Sequence, residues 1–291
     1  PSVLDCEAFM YSLTDIKTIE YLCKKYDFKF KHGLGQNFLT AEDVLFAIAD
    51  AAEIDGGGVL EIGPGFGCLT AVLAARAKKT VSLEVDKKLA PVLSETLAGY
   101  DNIKIIYEDV LKCNLNELIK DNFGDEKVSV AANLPYYITT PVIMRLLEEK
   151  LPLKNIVIMV QKEVAERICS SPGGKEYGAV TIAVNYYAEP AMICDVSRDL
   201  FVPAPNVDSA VLKLSVREKP PVCVNDEKRF FALVKAAFAQ RRKTLLNALK
   251  NSGMFGDAGK ISGAISAMGF DPKIRGERLS IEDFAKLSEL L

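Results

Sequence analysis

One segment, Val59-Leu-Glu-Ile-Gly-Pro-Gly-Phe-Gly-Cys-Leu-Thr70, restricts the possible folds more than any other. An apolar run from Gly58 to Ile62 stops at Gly63, Gly65 and Gly67, and a helical pattern follows from Leu69 to Ala77. That order predicts a strand, a tight turn and a helix. Glycine accepts positive φ and lets backbone approach a ligand with no Cβ in the way. The turn opens on a helix N-terminus, whose first N–H groups lack helical partners and can meet ligand oxygens. A P-loop would carry Gly-Lys-Ser/Thr where this chain has Gly67-Cys68-Leu69. A dinucleotide fingerprint would read G-x-G-x-x-G, and this chain reads G-x-G-x-G.

The same alternation continues on both sides. β-rich runs fall at Val59–Ile62, Thr80–Glu84, Ile103–Tyr107, Lys127–Ala132 and Asn155–Val160. Helical patterns fall at Leu69–Ala77, Lys87–Leu97, Val142–Glu149 and Lys162–Ile168, with Pro141 expected at the first helical position. This predicts an α/β fold with a parallel sheet covered on both faces. Tyr177–Tyr187 reads as a helix, and Ala191–Val196 and Ser209–Val216 as two strands close enough to pair antiparallel. Upstream, Thr14 is expected to cap a helix reaching about Tyr26. Thr40-Ala-Glu-Asp43 resembles a capping box opening a helix to Ala52. Between them Lys29–Leu39 interleaves basic and aromatic residues with glycines, as an ordered arm would.

After Pro220-Pro221 only helical patterns remain, at Glu227–Gln240, Lys243–Asn251, Gly259–Met268 and Ile281–Leu291. Three regions are therefore expected. They are an N-terminal helix and arm (1–40), an α/β domain (41–217) and a small all-α domain (218–291).

Composition removes several chemistries. With one histidine, His32, neither a hydrolytic triad nor a multi-histidine metal centre has its parts. The seven cysteines include no C-x-x-C pair, so neither a zinc site nor a disulfide framework is expected, and no metal is assigned. No run approaches the ~20 apolar residues of a membrane span, and no secretory leader is seen, so a soluble cytoplasmic protein is expected. Net charge is −3, but residues 1–187 carry −6 and residues 188–291 carry +3. Two basic clusters stand out, one of Lys24, Lys25, Lys29 and Lys31 with His32, the other Arg241-Arg242-Lys243. A basic face on an acidic protein can still track phosphates, and Lys29, Lys31, Arg241, Arg242 and Lys243 are the candidate phosphate contacts.

In open α/β sheets ligands sit at the carboxyl ends of strands. Those ends carry Gly63 and Gly65, Glu84, Asp109 and Asn133. Glu84 can take both hydroxyls of a ribose, and Asp109 can accept a hydrogen bond from an adenine amino group. Asn133-Leu-Pro-Tyr-Tyr137 is the sharpest piece. An exocyclic adenine nitrogen is a poor nucleophile because its lone pair is delocalised into the ring. Two acceptors aimed at its N–H bonds, the Asn133 side-chain oxygen and the Leu134 carbonyl, favour the reactive pyramidal geometry. Tyr136 can stack on the base. Phe201, in a loop stiffened by Pro203 and Pro205, can close the other face of an extruded base.

The Gly63 turn preceded by Glu61 resembles the first motif of S-adenosylmethionine-dependent methyltransferases. Taken together, Gln36-Asn-Phe-Leu39, Glu61-Ile-Gly-Pro-Gly65, Glu84-Val-Asp86, Asp109-Val110, Asn133-Leu-Pro-Tyr136 and Phe201-Val-Pro-Ala-Pro205 resemble, in order, the ribosomal RNA adenine dimethyltransferases. The match is to the bacterial small-subunit type. The resemblance implies a Rossmann-like methyltransferase sheet with a helical ribosome-docking domain. It implies N6,N6-dimethylation of two adjacent adenosines in the 3′-terminal hairpin of 16S rRNA, within the small (30S) subunit or its precursor and late in its maturation. The methyl donor would be S-adenosylmethionine, leaving S-adenosylhomocysteine. Asn37, Leu39, Gly63, Gly65, Glu84, Asp109, Val110 and Asn133 would line the cofactor site, and Asn133, Leu134, Tyr136 and Phe201 the adenine site. No obligate protein partner is implied. Two other readings compete: a 23S rRNA dimethyltransferase of the macrolide-resistance type, and a mainly non-catalytic assembly or RNA-binding factor.

Overall fold

The strand-forming and helix-forming stretches alternate because each apolar strand needs a covering helix on either face. The structure is a computed structural model that describes residues 13–28, 37–54 and 56–291. The elements of the α/β part are α1 (Ile16–Lys25), β1 (Phe38–Leu39), α2 (Glu42–Ala52), β2 (Gly58–Ile62), α3 (Cys68–Ala74), β3 (Lys79–Leu83), α4 (Ala90–Thr96), β4 (Ile103–Ile106), α5 (Leu115–Phe123), β5 (Val128–Asn133), α6 (Tyr136–Glu148) and β6 (Leu153–Gln161). There follow α7 (Lys162–Ile168), α8 (Ala179–Tyr187), β7 (Ala188–Val196), β8 (Phe201–Val202) and β9 (Ser209–Val216). The chain ends in α9 (Glu227–Ala239), α10 (Leu245–Ser252), α11 (Ala258–Ala267) and α12 (Ile281–Leu290).

Seven strands form one sheet in the order β4-β3-β2-β5-β6-β9-β7. The pairs β4–β3, β3–β2, β2–β5 and β5–β6 are parallel. The chain runs outward from β2 to β3 and β4, then returns to β5 on the other side of β2. The reversal makes β2 and β5 the switch point, where a crevice opens at the carboxyl ends. A second, two-stranded sheet pairs Phe38 with Val202 and Leu39 with Phe201. It tethers the stretch before α2 to the loop between β7 and β9.

The chain divides into two compact units. One runs to Lys162 and includes Met192–Leu214; the other comprises Glu163–Ala191 and Ser215–Leu291. The expected boundary at 217/218 therefore differs from this division, which groups Glu163–Ala191 with the C-terminal helices. In the first unit Val44, Leu45 and Ile48 of α2 pack on Val59, Ala131 and Val157 of the sheet. A smaller cluster gathers Ile19 and Leu22 of α1 with Phe38, Phe66 and Val92. The second unit has its own core around Phe230, Leu233, Leu249 and Phe284. Each such side chain contributes about 1.5–3 kcal/mol on full burial.

Several boundaries depart from the sequence reading. Asp15, not Thr14, caps α1, and its carboxylate accepts from Lys17 N. α2 has Ala41 at its N-cap and so no side-chain cap; Thr40 lies one residue earlier, and its hydroxyl donates to the Leu200 carbonyl at 2.9 Å. α6 starts at Tyr136 and carries Pro141 inside it, not at its first position. α5 has no counterpart in the sequence reading; Asn114 caps it, and Leu115, Leu118, Ile119 and Phe123 form its buried face. At the C-terminus Ser280 and Asp283 form a reciprocal capping box at the start of α12. Among the described residues no helix is long and apolar enough to cross a membrane.

Candidate active site

Strand register places the polar groups. Ile62 of β2 lies beside Leu83 of β3 and Ala132 of β5. One step further along each strand come Gly63, Glu84 and Asn133, side by side at the switch point. Gly63 N donates to Leu83 O at 2.9 Å, and Glu84 N to Ile106 O at 2.9 Å, so the ladder extends into the turn. Gly65 sits at φ +57°, and a Cβ there would lie 2.9 Å from the Phe38 ring. Only glycine lets the turn pass under that ring, which in turn packs on Phe66 at 4.2 Å between centroids.

These groups face one cavity of about 380 Å³, within the ~300–1,000 Å³ of small-molecule sites. Its lining includes Asn37, Leu39, Gly63, Gly65, Glu84, Asp109, Val110, Asn133, Leu134, Tyr136 and Phe201. All eight expected cofactor residues and all four expected adenine-site residues are thus brought together. Lys29 and Lys31 lie outside the described residues. Arg241, Arg242 and Lys243 fall in the turn between α9 and α10, in the other unit; of the three only Lys243 was expected at a helix start, and α10 begins two residues later. All three are exposed, but Arg241 donates to the carbonyls of Lys175 and Tyr177, which leaves Arg242 and Lys243 as the better-presented cations.

The carboxylates occupy different environments. Glu84 is 5% exposed and accepts from Asp86 N at 2.7 Å. Burial pushes its pKa up, opposed by backbone N–H groups of Asp86, Gly65 and Val85. The carboxylate and the glycine turn therefore hold each other. Asp109 accepts from Leu111 N at 2.9 Å and pairs with Lys112 at 3.5 Å. Beneath the turn, Glu61 is fully buried and accepts from Ser82 Oγ at 2.7 Å. Desolvation lifts it to about 7, against the Ser82 and Thr70 hydroxyls. Its Oε1 and the Thr70 hydroxyl are both buried without a well-formed hydrogen bond. A neutral carboxylic acid, able to donate, suits that place better than a carboxylate.

At the Asn133 corner, Pro135 (φ −55°, ψ 133°) turns the chain into α6. Tyr136 Oη and Ser209 Oγ are 2.7 Å apart, which fixes the ring. Phe201 is 4% exposed; it packs in the core with Leu39 and presents the remainder to the cavity. The sequence reading misses Phe38, Val85, Leu111 and Tyr137 on the lining. Val85 and Tyr137 are 58% and 60% exposed, a state no apolar-pattern argument anticipates. Ser209 opens a strand in the sequence reading, with no sign of its partner 73 positions away. The cavity lining offers what an adenosyl methyl donor needs: a ribose acceptor, an amino acceptor, apolar faces and turn N–H groups. Among the described residues no group of three or more His, Cys, Asp or Glu could hold a metal.

Comparison with known proteins gives concordant results. The family model "Ribosomal RNA adenine dimethylase" matches residues 27–291. "Ribosomal RNA small subunit methyltransferase A" of Bacillus pumilus is 53% identical over 282 residues, covering 96% of each chain. The protein of the same name from Geobacillus thermodenitrificans is 52% identical, covering 94% of this chain and 95% of its own. Among solved structures, a dimethyladenosine transferase from Plasmodium falciparum aligns with TM-score 0.70 and 28% identity over 86% of this chain and 95% of that one. The 23S rRNA methyltransferase ErmE aligns with TM-score 0.67 and 27% identity over 87% and 99%.

Proposed function

The chain belongs to the ribosomal RNA adenine dimethylase family, and from that premise we propose that it transfers methyl groups from S-adenosylmethionine to the N6 atoms of two adjacent adenosines of 16S rRNA. The substrate is the 3′-terminal hairpin in the small subunit or its precursor, and the reaction belongs to late subunit maturation in the cytoplasm. The single observation that carries this reading is the meeting of Gly63, Glu84, Asp109 and the Asn133–Tyr136 corner on one cavity.

When bound, S-adenosylmethionine supplies a methyl group already activated by its sulfonium. The chain's task is then recognition and alignment. Glu84 takes the ribose hydroxyls, Asp109 the cofactor's adenine amino group, and Asn37, Leu39 and Val110 complete the walls. The Asn133 side-chain oxygen and the Leu134 carbonyl accept the two N–H bonds of the target amine. This draws the lone pair out of conjugation as positive charge develops on nitrogen. Tyr136, held by Ser209, stacks on the extruded base, and Phe201 closes the pocket wall. No strong base is required, because the amine becomes acidic only as it gains the methyl group. Arg242 and Lys243, with Arg241, Lys29 and Lys31, supply phosphate contacts.

Small-subunit specificity is supported by the names of relatives at 52–53% identity, while the ErmE likeness, at 27%, supports the shared chemistry. The discriminating experiment offers labelled methyl donor with unmethylated 30S particles or with naked 23S RNA. Label should enter 16S rRNA only; label in 23S RNA alone would reverse the assignment. Absence of label from both, with the protein still binding 30S particles, would favour an assembly factor without catalysis.

A further inference from the structure

Arg145 lies in the third turn of α6, nine residues after Tyr136, with its side chain 20% exposed. Its Nε donates to Glu149 Oε1 at 2.6 Å. Its other two nitrogens donate to Val110 O and, at 2.6 Å, to Cys113 O. Those carbonyls belong to the turn that carries Asp109. Within it, Lys112 N and Cys113 N donate back to Asp109 O at 2.9 and 3.0 Å, and Leu111 N donates to Asp109 Oδ1. The turn is satisfied on its N–H side by Asp109 and on the carbonyl side by one guanidinium. A planar fork with donors at fixed angles can span two carbonyls; a lysine ammonium on a flexible stem cannot do so with the same geometry.

The geometry points to Arg145 as a positioning residue for nucleobase recognition, holding the Asp109 carboxylate where it reads the amino group of the cofactor's adenine. This rests on the proposed pairing of Asp109 with that amino group. The same side chain joins the cofactor loop to the helix that opens at Tyr136, so the two halves of the cavity share one brace. Removing it frees two carbonyls and lets the turn drift. The Glu84 carboxylate and the glycine turn, which hang on β2 and β3, stay in place. The loss therefore falls on the base and not on the ribose or amino-acid portion.

Calorimetry with S-adenosylhomocysteine and S-inosylhomocysteine tests this, because the inosine form replaces the amino group with a carbonyl oxygen that repels Asp109. Wild type should prefer the adenosine form by about 10–100-fold, the scale of one hydrogen bond to a charged group. Arg145→Gln should bind the adenosine form about 10-fold more weakly and the inosine form within about 2-fold of wild type, collapsing the preference. Should Arg145→Gln fail to fold by circular dichroism, Arg145→Lys carries the same test, since it keeps the charge beside Glu149 and loses the fork. A preference unchanged in the folded variant, or equal weakening of both ligands, would overturn the role of Arg145. A wild type with no preference would overturn the Asp109 pairing first, and the role of Arg145 with it.

Discussion

Asn133 and Glu84 line the same cavity, and the proposed function gives them separable tasks. Asn133→Ala removes one acceptor for the target amine and should lower kcat by about 10²–10³-fold, the scale of one missing transition-state hydrogen bond. Cofactor affinity by calorimetry should stay within a few-fold; a large affinity loss with normal turnover would reverse the assignment. Glu84→Gln should instead weaken cofactor binding by about 10-fold or more, and unchanged affinity would remove Glu84 from the site. Glu61 makes a third case. Its pKa is raised to about 7 in the folded chain, against ~4.3 for an unperturbed glutamate. The folded state holds the proton more tightly, so this group's contribution is complete below about pH 4 and is lost as pH rises through 7. The loss is about 3 kcal/mol in order of magnitude. Glu61→Gln, a permanent neutral isostere, should flatten that decline in urea titrations run from pH 5 to pH 8. An identical decline in the variant would place the titration elsewhere. At this scale a residue's place on the cavity is legible in the sequence wherever it is set by its own strand end. It is not legible for Ser209 or Arg145, whose partners are 73 and 35 or fewer positions away and carry no local signal.

Elements follow their patterns where one face is apolar and both ends carry signals. α12 begins at Ile281 and β9 spans Ser209–Val216, as their patterns predict. Ser280→Ala removes a cap that bonds Asp283 N at 3.2 Å, and should cost about 1 kcal/mol, seen as a lowered thermal midpoint. An unchanged midpoint would mean that the capping box contributes nothing there. Misreadings arise where tertiary packing overrides local chemistry. Thr40 looks like a cap but spends its hydroxyl on Leu200. Pro141 looks like a helix start, yet α6 begins five residues earlier, where Pro135 sets the entry into the helix. The pairing of β1 with β8 joins segments more than 160 residues apart, and two-residue strands leave no periodicity to read.

For the whole molecule, the acidic α/β part and the basic C-terminal part divide the work between chemistry and docking in the proposed function. Replacing Arg242 and Lys243 with glutamine should weaken binding to 30S particles and reduce the salt slope by about one unit for each phosphate no longer neutralised. S-Adenosylmethionine affinity should be untouched, and an unaltered slope would assign those cations another role. The switch point between β2 and β5 is foreseeable, because alternating strands and helices leave few ways to arrange a parallel sheet. The partition of Glu163–Ala191 is not, since composition does not change there. The most direct measurement is a crystal structure with S-adenosylhomocysteine bound. The ribose should lie on Glu84, the adenine amino group on Asp109, and the sulfur should face the Asn133–Tyr136 corner across open space sized for a base. An empty cavity at saturating ligand, or a sulfur turned away from Asn133, would contradict the proposed chemistry.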